Sequence, residues 1–260
     1  MKLPMLIKQI DISKKLKFAS NGILDVVYDK YENKPMILIL PGGGYHHLSP
    51  REAEPVANKF LEFGYNVAIL KYSVSPFQNP TQLIEVEYAL KYLHRKFKNI
   101  FVMGFSAGGH LASLADTSSL TKYISGLILC YPVISFVKKP HKGTVQNFFN
   151  GQYTKKDLYN YSIENRVTKD TPPTFIWSTK KDKSVPYIHT LLMIDALTSN
   201  EVYNEFVIFE TGQHGLALAD ETAIKDGDTS YINKEVSIWP SKANDFIKKV
   251  SHYEEKNDWR

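Results

Sequence analysis

The chain has 260 residues, of which 43% are hydrophobic and 13% aromatic, enough for one large core in a single domain spanning residues 1–260. Its formal net charge of +5 is modest and its lysines form only short clusters, which argues against nucleic acid as a partner. The single cysteine excludes an intrachain disulfide, and the absence of a secretory or membrane-spanning apolar run predicts a cytoplasmic protein with no membrane partner.

Short apolar runs recur along the chain and predict β-strands. They lie at residues 36–40, 66–72, 100–104, 126–131, 174–179 and 205–210. Amphipathic stripes predict helices at residues 53–61, 83–93, 107–115 and 186–198, and near the C-terminus. Runs that are apolar on both faces are typical of a parallel sheet covered on both sides. The alternation therefore predicts an α/β fold, with a mostly parallel, doubly wound sheet and helices on both faces.

Three glycines follow the first predicted strand, in the sequence Pro41-Gly42-Gly43-Gly44-Tyr45. A turn of this composition suits either a phosphate cradle or an oxyanion hole. No Lys-Ser or Lys-Thr follows it and no G-x-G-x-x-G occurs, so the phosphate interpretation fails. The turn therefore predicts backbone N–H donors for a developing oxyanion, at Gly43 or Gly44.

The strand at residues 100–104 runs into Gly104-Phe105-Ser106-Ala107-Gly108, a G-x-S-x-G sequence, and then into a predicted helix. This strand–turn–helix context is that of the nucleophile elbow. The sharp turn lifts the Ser106 hydroxyl above the sheet edge and sets it at a helix N-terminus, which favours developing negative charge. Ser106 is thus the predicted nucleophile, and the N–H of Ala107 is the predicted second oxyanion donor.

Two aromatic residues flank these turns. Tyr45 follows the glycine cluster and Phe105 precedes the serine. We predict that both contact the substrate.

The segment at residues 134–173 breaks the strand–helix alternation. It is polar and aromatic, and it is interrupted by Pro140, Gly143 and Gly151. We expect a short cap-like insertion over the sheet.

A serine hydroxyl needs a neighbouring base, and in this kind of site the order along the chain is serine, acid, histidine. Asp182 comes three residues after the strand at 174–179, and His214 follows the strand ending at residue 210. Because the carboxyl ends of parallel strands meet at one sheet edge, the three side chains are expected to converge. A helix N-cap is the alternative role for Asp182.

The other histidines do not indicate a metal site. His46 and His47 are adjacent, but no cysteine, aspartate or glutamate accompanies them at ligand spacing. His110 follows the elbow on its helix, where we expect a structural hydrogen bond. We therefore expect no metal.

With these motifs the chain resembles the acetyl-xylan-esterase and feruloyl-esterase-like branch of the α/β-hydrolases. The likeness covers residues 36–218 and is carried by the glycine cluster, residues 51–55, 104–110 and 212–215, and Asp182 with Val185-Pro186. It implies an α/β-hydrolase fold and hydrolysis of short acyl esters, such as acetyl groups on sugars, without metal or organic cofactor. Pro41 stands where lipase-like relatives have histidine, and the short polar insertion argues against long acyl chains.

The expected protein is a serine carboxylesterase acting on a small-molecule ester. His214 would take the proton of Ser106, and Asp182 would orient the imidazole. An amidase or peptidase using the same triad is the alternative, followed by a non-catalytic binding protein on this fold. Exposed edge strands of the sheet could pair between subunits, so a homo-oligomer is possible. No residue in the sequence determines the oligomeric state.

Overall fold

The computed structural model describes residues 6–28, 34–224 and 227–256, with an eight-stranded sheet at the centre. The strands are β1 (Leu6–Asp11), β2 (Ile23–Tyr28), β3 (Met36–Leu40), β4 (Asn66–Lys71), β5 (Ile100–Phe105), β6 (Gly126–Cys130), β7 (Thr174–Thr179) and β8 (Asn204–Phe209). Their order across the sheet is β1-β2-β4-β3-β5-β6-β7-β8. β2 pairs antiparallel with β1 and β4, and the pairs from β4 to β8 are parallel. The predicted mostly parallel α/β sheet is confirmed.

Helices cover both faces of this sheet. In the described residues they are α1 (Glu54–Glu62), α2 (Thr81–His94), α3 (Ala107–Ala115), α4 (Lys142–Phe148), α5 (Lys155–Asn160), α6 (Ile188–Ser199) and α7 (Trp239–Lys256). None of the helices within the described ranges has both the length and the apolarity that crossing a membrane requires.

The central strands are apolar because both of their faces are covered. Every residue of β3, β5, β6 and β7 is buried. Successive side chains alternate between two cores: Leu38 packs in the core formed with α2, α3 and α6, whereas Ile37 and Ile39 pack in the core formed with α1 and α7. This burial on both sides is what makes the strands visible as continuous apolar runs.

β1 and β2 were not predicted, and their exposure explains why. In β2 only Leu24 and Val26 are buried, and the other four residues are partly exposed. Antiparallel strands near a sheet edge carry a solvated face, so polar residues such as Lys8, Gln9 and Asp25 are tolerated there and interrupt the apolar runs.

The segment at residues 134–173 contains two short helices that were also not predicted. His141 begins α4 by accepting the Thr144 N–H at its Nδ1, at 3.2 Å. Thr154 and Asp157 begin α5 through a reciprocal capping box. From α4, Val145 and Phe148 enter the core, so the segment packs onto the sheet domain through its apolar side chains.

Candidate active site

Ser106 lies in the turn between β5 and α3, in a backbone conformation that side chains rarely adopt. Its φ is 50° and its ψ is −114°. The turn is held by its main chain: the Ser106 N–H donates to the Cys130 carbonyl at 3.0 Å, and the Ser106 carbonyl accepts the N–H groups of Gly109 and Val133, both at 3.0 Å. Strain of this kind persists only where surrounding contacts enforce it.

The two glycines of the G-x-S-x-G sequence are required by packing. A Cβ built on Gly104 would lie 2.3 Å from the carbonyl oxygen of Gly108. A Cβ built on Gly108 would lie 2.1 Å from the carbonyl oxygen of Leu40, at the end of β3. Backbone therefore approaches backbone on both sides of Ser106, and only glycine allows this approach.

The structure brings Ser106, His214 and Asp182 into one hydrogen-bonded chain. The Nε2 of His214 lies 2.9 Å from the Oγ of Ser106, and its Nδ1 lies 2.6 Å from the Oδ2 of Asp182. The Oδ1 of Asp182 accepts the N–H groups of Ser184 and Val185, each at 2.9 Å. Asp182 thus combines the expected pairing with His214 and a capping bond to a turn. This turn precedes α6, so Asp182 is not the N-cap of that helix.

The glycine cluster lies directly against the nucleophile. A Cβ built on Gly42 would be 3.0 Å from the Cβ of Ser106. Gly43 and Gly44 have φ values of 127° and 63°, and no group in the described part of the chain accepts their N–H groups. Ala107 begins α3, so its N–H has no acceptor within the helix. Within the described residues none of the three predicted donors therefore has an acceptor, and Gly43 and Gly44 also line a cavity.

A cavity of about 440 Å³ opens over these groups. Ser106, His214, Gly43 and Gly44 all line it. The other side chains in its wall are polar: those of His46, His47, Ser49, Arg51, Glu52, His141, Asn147, Ser184 and Tyr231. Within residues 6–28, 34–224 and 227–256, no group of three or more His, Cys, Asp or Glu side chains is placed to hold a metal.

A family model named BD-FAE matches residues 24–197, about two thirds of the chain. The chain belongs to the BD-FAE family. This membership confirms the expected resemblance to esterase-like α/β-hydrolases.

Curated relatives of this BD-FAE chain include an endo-1,4-beta-xylanase of Butyrivibrio fibrisolvens, 30% identical over 232 residues, which cover 78% of this chain and 36% of that protein. The acetylxylan esterase of Xylanibacter ruminicola is 30% identical over 194 residues, which cover 69% of this chain and 40% of that protein. The chain spans only about two fifths of the length of the curated relatives it matches.

Solved structures match this BD-FAE chain over nearly their whole length. The acetyl ester-xyloside bifunctional hydrolase of Caldicellulosiruptor lactoaceticus is 30% identical with a TM-score of 0.79, covering 92% of this chain and 90% of that one. A sugar hydrolase of Lactococcus lactis is 31% identical with a TM-score of 0.82, covering 96% and 99%. The expected α/β-hydrolase fold is confirmed.

Two predicted substrate contacts are wrong. The side chain of Tyr45 is fully buried, and its hydroxyl bonds to the Nδ1 of His110 at 2.9 Å. Phe105 is also fully buried and packs against Tyr131 and Trp239 in the core beneath the sheet. Both residues adjoin the site in sequence, but the backbone of each turn directs the aromatic ring into the protein.

His110 has the structural role that we expected. Its Nε2 lies 2.8 Å from the carbonyl oxygen of Tyr161, to which it must donate, so its Nδ1 accepts the Tyr45 hydroxyl. Burial lowers the pKa of His110 to about 4, which keeps the ring neutral. His110 therefore joins the glycine cluster, the elbow helix and the segment at 134–173 without reaching the cavity.

Glu52 is a buried residue beside the site whose role the sequence did not predict. It is 3% exposed; its Oε2 accepts the Gly42 N–H at 2.7 Å, and its Oε1 accepts the Tyr131 hydroxyl at 2.7 Å. The Tyr131 oxygen in turn accepts the Ala217 N–H at 3.1 Å, and the Tyr131 ring lies edge-on to His214. One buried carboxylate thus links the glycine cluster to the loop that carries His214. Its only sequence signal is an acid directly before an apolar helical stripe.

We expect Glu52→Gln to lower kcat roughly 10- to 100-fold, less than the roughly 100- to 1,000-fold typical of deleting an oxyanion donor. Glutamine keeps an oxygen for Gly42, but its NH₂ group faces the Tyr131 hydroxyl, which already accepts the Ala217 N–H. The glycine cluster should therefore move, and because its donors act in the transition state, kcat should change more than KM.

Glu54→Gln is the matched control, because Glu54 is an exposed acid two residues away that pairs with Lys71 at the surface. Steady-state kinetics with p-nitrophenyl acetate and thermal melts of both variants check this prediction. A Glu52→Gln protein that melts earlier yet keeps the wild-type kcat would show that Glu52 only stabilises the fold.

Proposed function

We propose that this chain is a serine carboxylesterase that removes short acyl groups, chiefly acetyl, from carbohydrate alcohols. The observation that carries the proposal is the hydrogen-bonded chain from Ser106 through His214 to Asp182, beside three backbone N–H groups for which no described residue is an acceptor. A small-molecule ester would be the partner, and a single domain would supply the whole site.

In the first half-reaction, the Ser106 Oγ attacks the ester carbonyl carbon while its proton passes to the Nε2 of His214. The carbonyl oxygen becomes an oxyanion facing the N–H groups of Gly43, Gly44 and Ala107. When the carbon–oxygen bond breaks, His214 protonates the leaving alcohol and an acyl-enzyme remains. Asp182, bonded to Nδ1, keeps the imidazole in the tautomer that can accept a proton at Nε2.

In the second half-reaction, water takes the place of the alcohol. His214 removes one proton from the water, whose oxygen attacks the acyl carbon, and the same N–H groups face the second oxyanion. Return of that proton to the Ser106 Oγ releases the carboxylic acid and restores the starting site. No other reactant is needed.

The wall of the cavity favours small acyl groups. Its side chains are mostly polar, and long acyl chains need apolar walls that cover them. Names of relatives, acetylxylan esterase and acetyl ester-xyloside hydrolase, agree with acetyl as the acyl group and a xylose-based alcohol.

The test is hydrolysis of p-nitrophenyl acetate, butyrate and octanoate, with p-nitroacetanilide as the matched amide and an acetylated xylo-oligosaccharide in parallel. We expect kcat/KM to fall from acetate to octanoate, release of acetate from the oligosaccharide, and far slower cleavage of the anilide. Anilide cleavage as fast as that of the acetate ester would favour the amidase alternative. Octanoate as the best ester would contradict the short-chain assignment.

A further inference from the structure

Arg51 stands beside the proposed active site with its guanidinium held in place. It lines the same cavity as Ser106 and His214. The guanidinium lies over the Tyr231 ring at 4.1 Å, and its Nη1 donates to the Ala223 carbonyl at 3.0 Å. Stacking on an aromatic ring orients the planar fork and leaves its other N–H groups available.

Within residues 6–28, 34–224 and 227–256, Arg51 forms no ion pair. Among the described residues, no carboxylate oxygen lies within 4 Å of its nitrogens. The adjacent Glu52 carboxylate is bonded to Gly42 and Tyr131 instead. Asp228 is exposed and accepts the Ser230 N–H, and its pKa is lowered chiefly by that residue and only then by Arg51.

The position of Arg51 indicates which part of a substrate it would meet. A Cβ built on Gly215, the residue after His214, would lie 3.7 Å from the Nη2 of Arg51. Because His214 must give its proton to the leaving oxygen, the alcohol part of an ester lies on the His214 side of the cavity. Arg51 is therefore on the alcohol side. Asn147, which also lines the cavity, donates to the Gly44 carbonyl at 2.8 Å, in the glycine cluster.

We infer that Arg51 binds a carboxylate on the alcohol part of the ester, so that acylated acidic sugars and other esters of carboxylate-bearing alcohols are preferred substrates. The inference rests on the proposed esterase function. A guanidinium fork matches a carboxylate with two parallel hydrogen bonds, and such charge-assisted bonds are the strong ones. Neutral sugar hydroxyls would use the same donors but would leave the positive charge without a counter-charge.

The test compares two acetate esters of equal shape, 3-acetoxybenzoate and 3-acetoxybenzamide, by the release of acetate. We expect wild-type kcat/KM to be higher for the carboxylate. In Arg51→Gln the ratio of the two kcat/KM values should fall about 10- to 100-fold, the loss expected for charge-assisted hydrogen bonds. Arg51→Lys, which keeps the charge but not the fork, should give an intermediate ratio.

Arg95→Gln is the control, because Arg95 is an exposed arginine outside this cavity and its loss should leave the ratio unchanged. Taking a ratio within each variant cancels any general loss caused by disturbing the contact with Ala223. Equal wild-type rates for the two esters, or an unchanged ratio in Arg51→Gln, would overturn the inference and leave the esterase intact. Hydrolysis of neither ester by the wild type, or of both by Ser106→Ala, would instead remove the proposed function itself.

Discussion

Replacing Ser106 by alanine is expected to lower kcat for p-nitrophenyl acetate by about a million-fold, the loss typical of removing the nucleophile from a triad. The Oγ is the atom that forms the acyl-enzyme, and the Nε2 of His214 is placed 2.9 Å from it to take its proton. Without the Oγ, His214 has no group to activate. The measurement is the rate of p-nitrophenol release per folded molecule, with folding checked by thermal melting.

A covalent probe adds an independent measurement for the same variant. A fluorophosphonate should add its mass to the wild type at Ser106 and leave Ser106→Ala unmodified. Ser199→Ala, an exposed serine at the end of α6, should behave as the wild type in both experiments. Unchanged hydrolysis by Ser106→Ala would refute the triad. Turnover as slow in the wild type as in the variant would favour a binding protein on this fold.

The second large effect is expected for Asp182→Asn, which should lower kcat by about 10,000-fold. The N–H groups of Ser184 and Val185 both need an acceptor at the Oδ1 position, so the oxygen of the new amide must occupy that position. The NH₂ group must then face the Nδ1 of His214. The imidazole is thereby forced to carry its proton on Nε2, so it cannot accept one from Ser106.

Asp220→Asn is the matched control for this prediction. Asp220 caps a short turn by accepting the Thr222 N–H, a role that asparagine also fills. Its kcat with p-nitrophenyl acetate should stay close to that of the wild type. If Asp182→Asn lost less than tenfold, Asp182 would only order the turn before α6, and another group would have to support His214.

The sequence predicted those parts of the fold that depend on residues close together in the chain. β3 and β7 have the predicted bounds because their continuous apolar runs reflect burial on both faces. Ser106, Asp182 and His214 come together because each follows the carboxyl end of a parallel strand, and such ends share one edge of the sheet. Spacing along the chain was therefore enough to group them.

The parts that sequence did not predict depend on contacts between distant residues. Glu52 accepts a hydrogen bond from Tyr131, which is 79 positions away in the chain. No sequence pattern around Glu52 predicts that partner. Tyr45 and Phe105 were misassigned because motif position does not tell on which side of a turn a ring points. The helix α4 is stabilised by the burial of Val145 and Phe148 against the sheet domain, which its own short, polar sequence does not reveal.

His214 follows an edge strand, and this location bears on the temperature at which the site loses its geometry. β8 ends the sheet, pairs on one side only and leaves Phe206 53% exposed, whereas Ser106 follows the fully buried β5. Edge elements with exposed hydrogen bonds open at lower free energy than a buried core. We therefore expect warming to separate His214 from Ser106 while most of the molecule is still folded. Activity measured against temperature should then fall at a lower temperature than the melting transition of the whole protein.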